Sequence, residues 1–210
     1  MRIAVALFEQ VTALDAVGPY EVLQRLPDAD VCFVGHRRGE IRTDNGFLGL
    51  MVDHPFSDVT NPDIIVVPGG IGTRALVHDE EILDWIRLTH ETSRLTTSVC
   101  TGSLLLAAAG LLEGLQATTH FSARQLLAKY GAKPSDDRVV QQGRIITAAG
   151  VSSGIDMALH VAELVADATT AKALQLMIEY DPQPPYDAGA IHKVDAPVLM
   201  KAQELAKQKN

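Results

Sequence analysis

The sequence predicts an α/β protein in which a doubly wound, mostly parallel sheet lies between helical layers, a flavodoxin-like arrangement. Three observations predict it. Short β-rich runs alternate with segments of helical spacing over most of the 210 residues. The run Asp63–Val67 (DIIVV) is apolar without alternation, as a strand covered on both faces is. No internal repeat, low-complexity tract or linker interrupts the alternation, so residues 1–210 read as one domain.

The elements follow in order. Arg2–Phe8 (RIAVALF) is a short apolar strand. Ala16–Leu26 has helical spacing, with Val17, Tyr20, Val22, Leu23 and Leu26 apolar. Asp30–Val34 is a second strand. Glu40–Val52 is a hairpin, because Asp44-Asn45-Gly46 is a turn signal between β-like flanks. Asp63–Val67 ends at Pro68-Gly69-Gly70, a backbone-permissive loop. Asp79–His90 is a helix with Ile82, Leu83, Trp85 and Ile86 inward and Leu88 a further candidate. Leu95–Val99 is a strand and Gly102–Leu112 a helix. Ala117–His120 is a short strand, and Ser122–Tyr130 a helix with Ser122 as candidate cap. Val139–Ala149 is a second hairpin turning at Gln142-Gly143. Ser152–Val165 and Ala168–Tyr180 are helices. Asp181–Pro185 is a proline-rich stop, and a C-terminal arm from about residue 181 ends in an amphipathic helix, Ala196–Lys207.

Apolar residues at 47% and charged residues at 21% exclude a disordered chain. A chain of 22.6 kDa hides about 70% of its unfolded surface. Aromatics are 5%, so the core is expected to be mostly Leu, Ile, Val and Ala. The net charge of -8 repels nucleic acid and anionic membrane. No apolar run reaches the ~20 residues of a membrane helix. The start, MRIAVALFEQ, lacks the long apolar stretch of a signal peptide. A cytoplasmic protein without nucleic-acid or membrane partners is expected. Cys32 and Cys100 are too few for a disulfide framework or a four-cysteine zinc site. No His/Asp/Glu grouping has a familiar metal spacing, and no cofactor is expected.

In such sheets, ligands bind beyond the carboxyl ends of the strands. Cys100 stands there, where LTTSV meets an Ala/Leu-rich helix. The unpaired N–H groups of a first helical turn, with the helix dipole, favour a thiolate. The position resembles a nucleophile elbow with sulfur in place of oxygen. Cys32, inside VCFV, reads as a buried structural thiol. Gly69 and Gly70 would present two free N–H groups at the adjacent strand end, able to stabilise developing negative charge; the alternative is a plain turn. Gly70-Ile71-Gly72-Thr73-Arg74-Ala75 fits a dinucleotide fingerprint, but the next strand ends in Val99-Cys100 rather than in the acidic residue that would hold a ribose.

Asp15 follows the first strand. It either caps the next helix or points its carboxyl at the sulfur. In the second case carboxylate and thiolate repel, and one of them keeps a proton. His120 is either the base of a Cys–His pair or a polar residue of the pocket. His36, His54, His78, His90 and the Arg37-Arg38 pair read as surface or loop residues.

Taken together, LDAVGPYEVL, IIVVPGGIGTRAL, TTSVCTGSLLLAAAGLLEGLQATTH, GVSSGIDMAL and EYDPQPPYDAG resemble the ThiJ/PfpI branch of the class I glutamine amidotransferase-like superfamily. Within the branch the chain is most similar to the isonitrile-hydrating members. The resemblance implies a cofactor-free enzyme with Cys100 as nucleophile, Asp15 as acidic partner and Thr101 shaping the pocket. It matches the family glycines to Gly69 and Gly70, with Ile71 and His120 at the substrate site, and it implies a homodimer acting on a small molecule. Thr101 stands where peptidase-like members have histidine, and Phe121 where hydratases have tryptophan. The expected reaction converts an isonitrile to an N-substituted formamide through a cysteine thioimidate. A glyoxalase-like carbonyl hydrolase, or a non-catalytic redox or ligand sensor, are the other readings of the same cysteine.

Overall fold

The computed structural model describes residues 1–207. Two compact units are present, Met1–Ile178 and a second that begins at Glu179. In the first, the elements in chain order are β1 (Arg2–Ala6), α1 (Ala13–Leu23), β2 (Asp30–Gly35), β3 (Gly39–Arg42), β4 (Gly49–Val52), β5 (His54–Pro55), β6 (Ile64–Val67), α2 (Thr73–Leu76), α3 (Glu80–Thr92), β7 (Leu95–Val99) and α4 (Gly102–Ala108). There follow β8 (Gln116–Ala117), α5 (Arg124–Lys129), β9 (Lys133–Pro134), β10 (Val139–Gln142), β11 (Ile145–Ala148), α6 (Ser153–Val165) and α7 (Ala168–Met177). The second unit contains α8 (Ala196–Lys207).

Seven strands form the central sheet in the order β10-β11-β7-β6-β1-β2-β5. Every neighbouring pair is parallel except β10–β11. The carboxyl ends of β1, β6, β7 and β11 therefore share one edge. β6 (IIVV) is buried at every residue, as its unbroken apolar run predicts. β7 is equally buried although it reads Thr96-Thr97-Ser98. Two of its three hydroxyls have partners, as buried ones usually do: Thr97 Oγ1 donates to the Ile65 carbonyl at 2.8 Å, and Thr96 Oγ1 meets His90 Nδ1 at 2.8 Å, while Ser98 Oγ has none among the described residues.

α1 and α6 pack against each other, with α7 beside α6. Their approach depends on small residues. A Cβ at Gly154 would lie 3.1 Å from both Pro19 Cγ and Val99 Cγ2. α2, α3 and α5 pack on α4, which lies against β6 and β7. No helix among the described residues is long and apolar enough to cross a membrane.

Several boundaries differ from the sequence reading. The helix starting at Gly102 ends at Ala108, not Leu112, in a turn that contains Gly110 at φ +87°. The expected strand 117–120 shrinks to β8, paired with β9 outside the main sheet. Ser122 does not cap a helix. Phe121–Ala123 form a 3-10 turn, and His120 caps it by accepting the Ser122 N–H. The helix begun at Ala168 stops at Met177, three residues early. Leu88 is 48% exposed, so it is not on the inner face of α3. His90 is not a plain surface residue: burial holds its imidazole below the ordinary value. β5, β9 and α2 were not foreseen; runs of two to four residues carry too few side chains to display a period.

Candidate active site

The backbone turns sharply where β7 ends. Cys100 has φ +57°, a conformation that L residues other than Asn and Asp seldom adopt. Four hydrogen bonds hold it there. Its N–H donates to the carbonyls of Ala148 and Ala149 at 3.1 and 2.9 Å, and its carbonyl accepts from Thr119 Oγ1 at 2.9 Å and Ser103 Oγ at 3.1 Å. Such bracing is what lets a strained residue persist. The backbone N–H groups of Thr101 and Val151 bear on the sulfur and hold its thiol lower than burial alone would. Val151 is itself strained, a β-branched residue at φ +27°.

Asp15 lies in the first turn of α1 and is fully buried. It does not cap the helix; Thr12 occupies that position, and the Asp15 carboxyl turns inward. Its Oδ2 accepts the Gly69 N–H at 3.0 Å. Its other oxygen, Oδ1, is buried with no conventional hydrogen-bond partner among the described residues. The carboxyl is coupled to the Cys100 thiol. Burial raises Asp15 from 3.8 to about 7, against the Gly69 N–H, which lowers it. Burial, and then the Asp15 charge, push the Cys100 thiol up to about 12. The N–H groups of Thr101 and Val151 act in the opposite direction and favour the thiolate, as the sequence reading expects of amides at this turn. α4 has only seven residues, and Cys100 is 5% exposed, so loss of hydration outweighs the donors. The two groups titrate as one pair, in which ionising one disfavours ionising the other.

The structure also corrects the reading of Gly69 and Gly70. Neither N–H is free. Gly69 holds Asp15, and the Gly70 N–H donates to Thr101 Oγ1 at 2.9 Å. The N–H groups that favour the Cys100 thiolate are those of Thr101 and Val151 instead. Gly70 is required for another reason: at φ +142°, a Cβ would lie 2.3 Å from the Gln10 carbonyl oxygen. Ile71 is half-buried, and its carbonyl accepts the Arg74 N–H at 3.2 Å. His120 belongs to a polar and aromatic group. Its Nδ1 meets Ser122 Oγ at 2.7 Å, and its ring lies 4.4 Å from that of Phe121. Burial, with Arg74 and Arg124, keeps the imidazole below its ordinary value. Its Cδ2 edge lies over Gly150, next to Val151. Among the described residues no group of three or more His, Cys, Asp or Glu could hold a metal ion.

Sequence reasoning missed Thr119, Ser103 and Val151. The signal for Val151 was the Gly150-Val151-Ser152-Ser153-Gly154 stretch between strand and helix, which marks a second tight strand–helix turn at the same sheet edge.

Residues 1–164 match the DJ-1/PfpI family. The chain belongs to that family. An isonitrile hydratase of Pseudomonas putida is 43% identical over 206 residues, spanning 98% of this DJ-1/PfpI chain and 90% of the relative. A glutathione-independent glyoxalase of Caenorhabditis elegans is 29% identical over 116 residues, 54% of this chain and 62% of the relative. Among solved structures, a ThiJ/PfpI family protein from Pseudomonas syringae superposes with a TM-score of 0.93 at 36% identity, covering 99% of this chain and 86% of the other. Drosophila melanogaster DJ-1beta superposes at 0.77 with 22% identity, a likeness of fold. The mostly parallel sheet flanked by helices is thus the DJ-1/PfpI fold that the sequence predicted.

Proposed function

We propose that this protein hydrates an isonitrile, R–N≡C, to the N-substituted formamide through a thioimidate on Cys100. The observation that carries the reading is the buried Cys100–Asp15 pair at the sheet edge, with the carboxyl fixed by the Gly69 N–H. The likeness to the Pseudomonas putida isonitrile hydratase, along nearly the whole chain, supports the substrate class.

The terminal carbon of an isonitrile accepts both a nucleophile and a proton. The Cys100 thiol passes its proton to Asp15 as the sulfur bonds to that carbon, and Asp15 delivers the proton to the same carbon. The product is R–N=CH–S–Cys100, and Asp15 is again a carboxylate. The N–H groups of Thr101 and Val151 stabilise charge on sulfur as it develops. Water then adds to the carbon; one of its protons reaches Asp15 and is relayed to nitrogen. The tetrahedral adduct R–NH–CH(OH)–S–Cys100 loses sulfur, the hydroxyl proton returns to the pair, and R–NH–CHO leaves. Dividing the hydration in two is the benefit of the covalent step. Thr101 Oγ1, held between the Gly70 N–H and carbonyl, and Gly69, held on Asp15, position the pair. His120, Ile71 and Phe121 line the approach in this reading.

Formamide production from a small aryl or alkyl isonitrile tests it. Cys100→Ala is expected to abolish turnover, and Asp15→Asn to lower it about 10²–10⁴-fold. A wild-type protein that leaves isonitriles unchanged would overturn the proposal. The glyoxalase relative favours a second reading, in which the same sulfur attacks an α-oxoaldehyde; methylglyoxal run beside the isonitrile separates the two. A cytoplasmic homodimer belongs to the same proposal, and sedimentation of the purified protein checks the dimer.

A further inference from the structure

We infer that Arg138 is a positioning residue: it pins the strained turn that aims the Val151 N–H at the Cys100 sulfur. The inference rests on the reading of Cys100 as nucleophile. A β-branched residue at φ +27° persists only where its surroundings hold it. Part of the hold is local, since the Gly150 carbonyl accepts both the N–H and the Oγ of Ser153 at 3.0 Å. Two separate segments tie it further: the Cys100 N–H, on the Ala148 and Ala149 carbonyls, and Arg138, just before β10. Its carbonyl accepts the Ala149 N–H at 2.9 Å, two residues before Val151. Its guanidinium donates through Nη2 to Ser152 Oγ at 3.2 Å and pairs through Nε with Asp156.

One side chain and its own backbone thus grip both sides of the strained residue. Ser152 and Asp156 are four apart on one helical face, a spacing that a planar fork can bridge and an ammonium cannot match. The guanidinium is half-exposed, so the ion pair adds little to global stability. What it adds is local: without it, Val151 can relax to negative φ and turn its N–H from the sulfur.

The other groups bearing on the pair come from different elements. Asp15 is on α1, and Asp44 of the β3–β4 turn acts on Asp15. His120, with Arg74 and Arg124 near it, lies over Gly150. All remain in an Arg138 variant, and Ser152→Ala keeps the Arg138 charge as well, so a profile changed in both reports the Val151 donor.

The test is the rate at which iodoacetamide alkylates Cys100, resolved from Cys32 by peptide mapping and measured across pH, beside kcat/KM on an aryl isonitrile. Arg138→Met is expected to slow alkylation about tenfold at a given pH, equal to an upward move of about one pH unit. Arg138→Lys should recover part of the rate, and Ser152→Ala should lose part of it, with melting temperatures close to wild type. Profiles within twofold of wild type in both Arg138→Met and Ser152→Ala would overturn the inference. So would a loss that merely tracks a large fall in melting temperature. Where Arg138→Met does not fold, Arg138→Lys and Ser152→Ala decide by the same criteria. Shifted alkylation in a protein that does not hydrate isonitriles upholds the clamp and rejects the proposed substrate.

Discussion

At the scale of single residues, Asp15 is where stability and chemistry meet. Burial lifts its carboxyl from 3.8 to about 7, so the folded protein keeps a proton that the unfolded chain releases. Stability from this source is whole below about pH 4 and is lost as pH rises through about 7. Asp15→Asn removes that loss. Chemical denaturation should show the variant more stable than wild type at pH 8, by up to roughly 4 kcal/mol, with the gain vanishing near pH 4. Activity has the opposite dependence. The pair needs one negative charge, so kcat/KM for the isonitrile should climb as pH rises through about 7, and the variant should lack that limb. Cys100 and Asp15 were legible because each follows a recognisable strand. The partners of Gly69 and Gly70 were not. Which N–H faces the sulfur depends on where Thr101 Oγ1 and Asp15 Oδ2 arrive from other parts of the chain.

At the scale of elements, the site is built by close approach. β6 and α4 touch at Gly102, where a Cβ would lie 2.0 Å from the Val67 carbonyl oxygen and 2.7 Å from that of Pro68. Gly102→Ala forces α4 away from the strand end. It should cost about 1–3 kcal/mol in thermal or urea unfolding and displace Cys100 with it; an unchanged midpoint would show that α4 can yield freely. Long elements with a clear period, such as α3 and β6, were readable from the sequence. β5 and β9 were not, because two-residue strands exist only through the neighbours that pair with them. The stretch Thr118-Thr119-His120 reads as β by propensity. It is diverted because Thr118 N–H donates to Thr147 Oγ1 and Thr119 Oγ1 to the Cys100 carbonyl.

At the scale of the whole molecule, the parallel sheet brings segments distant in sequence to one edge: Asp15, Gly69, Cys100 and Val151 follow four different strands. The fold class followed from alternation alone, but the strand order did not, since order is set by long-range pairing. Amide hydrogen exchange should find β6 and β7, buried at every residue, opening only with global unfolding. The amides of α8, where Met200 is 62% exposed, should exchange faster. Turnover depends on one covalent bond, between the Cys100 sulfur and the substrate carbon, and intact mass spectrometry during turnover detects it. With excess isonitrile, the wild-type protein should gain the full mass of the substrate on Cys100 and lose it as formamide appears, while Cys100→Ala gains nothing. Formamide production by Cys100→Ala at the wild-type rate, with no adduct on either protein, would contradict it.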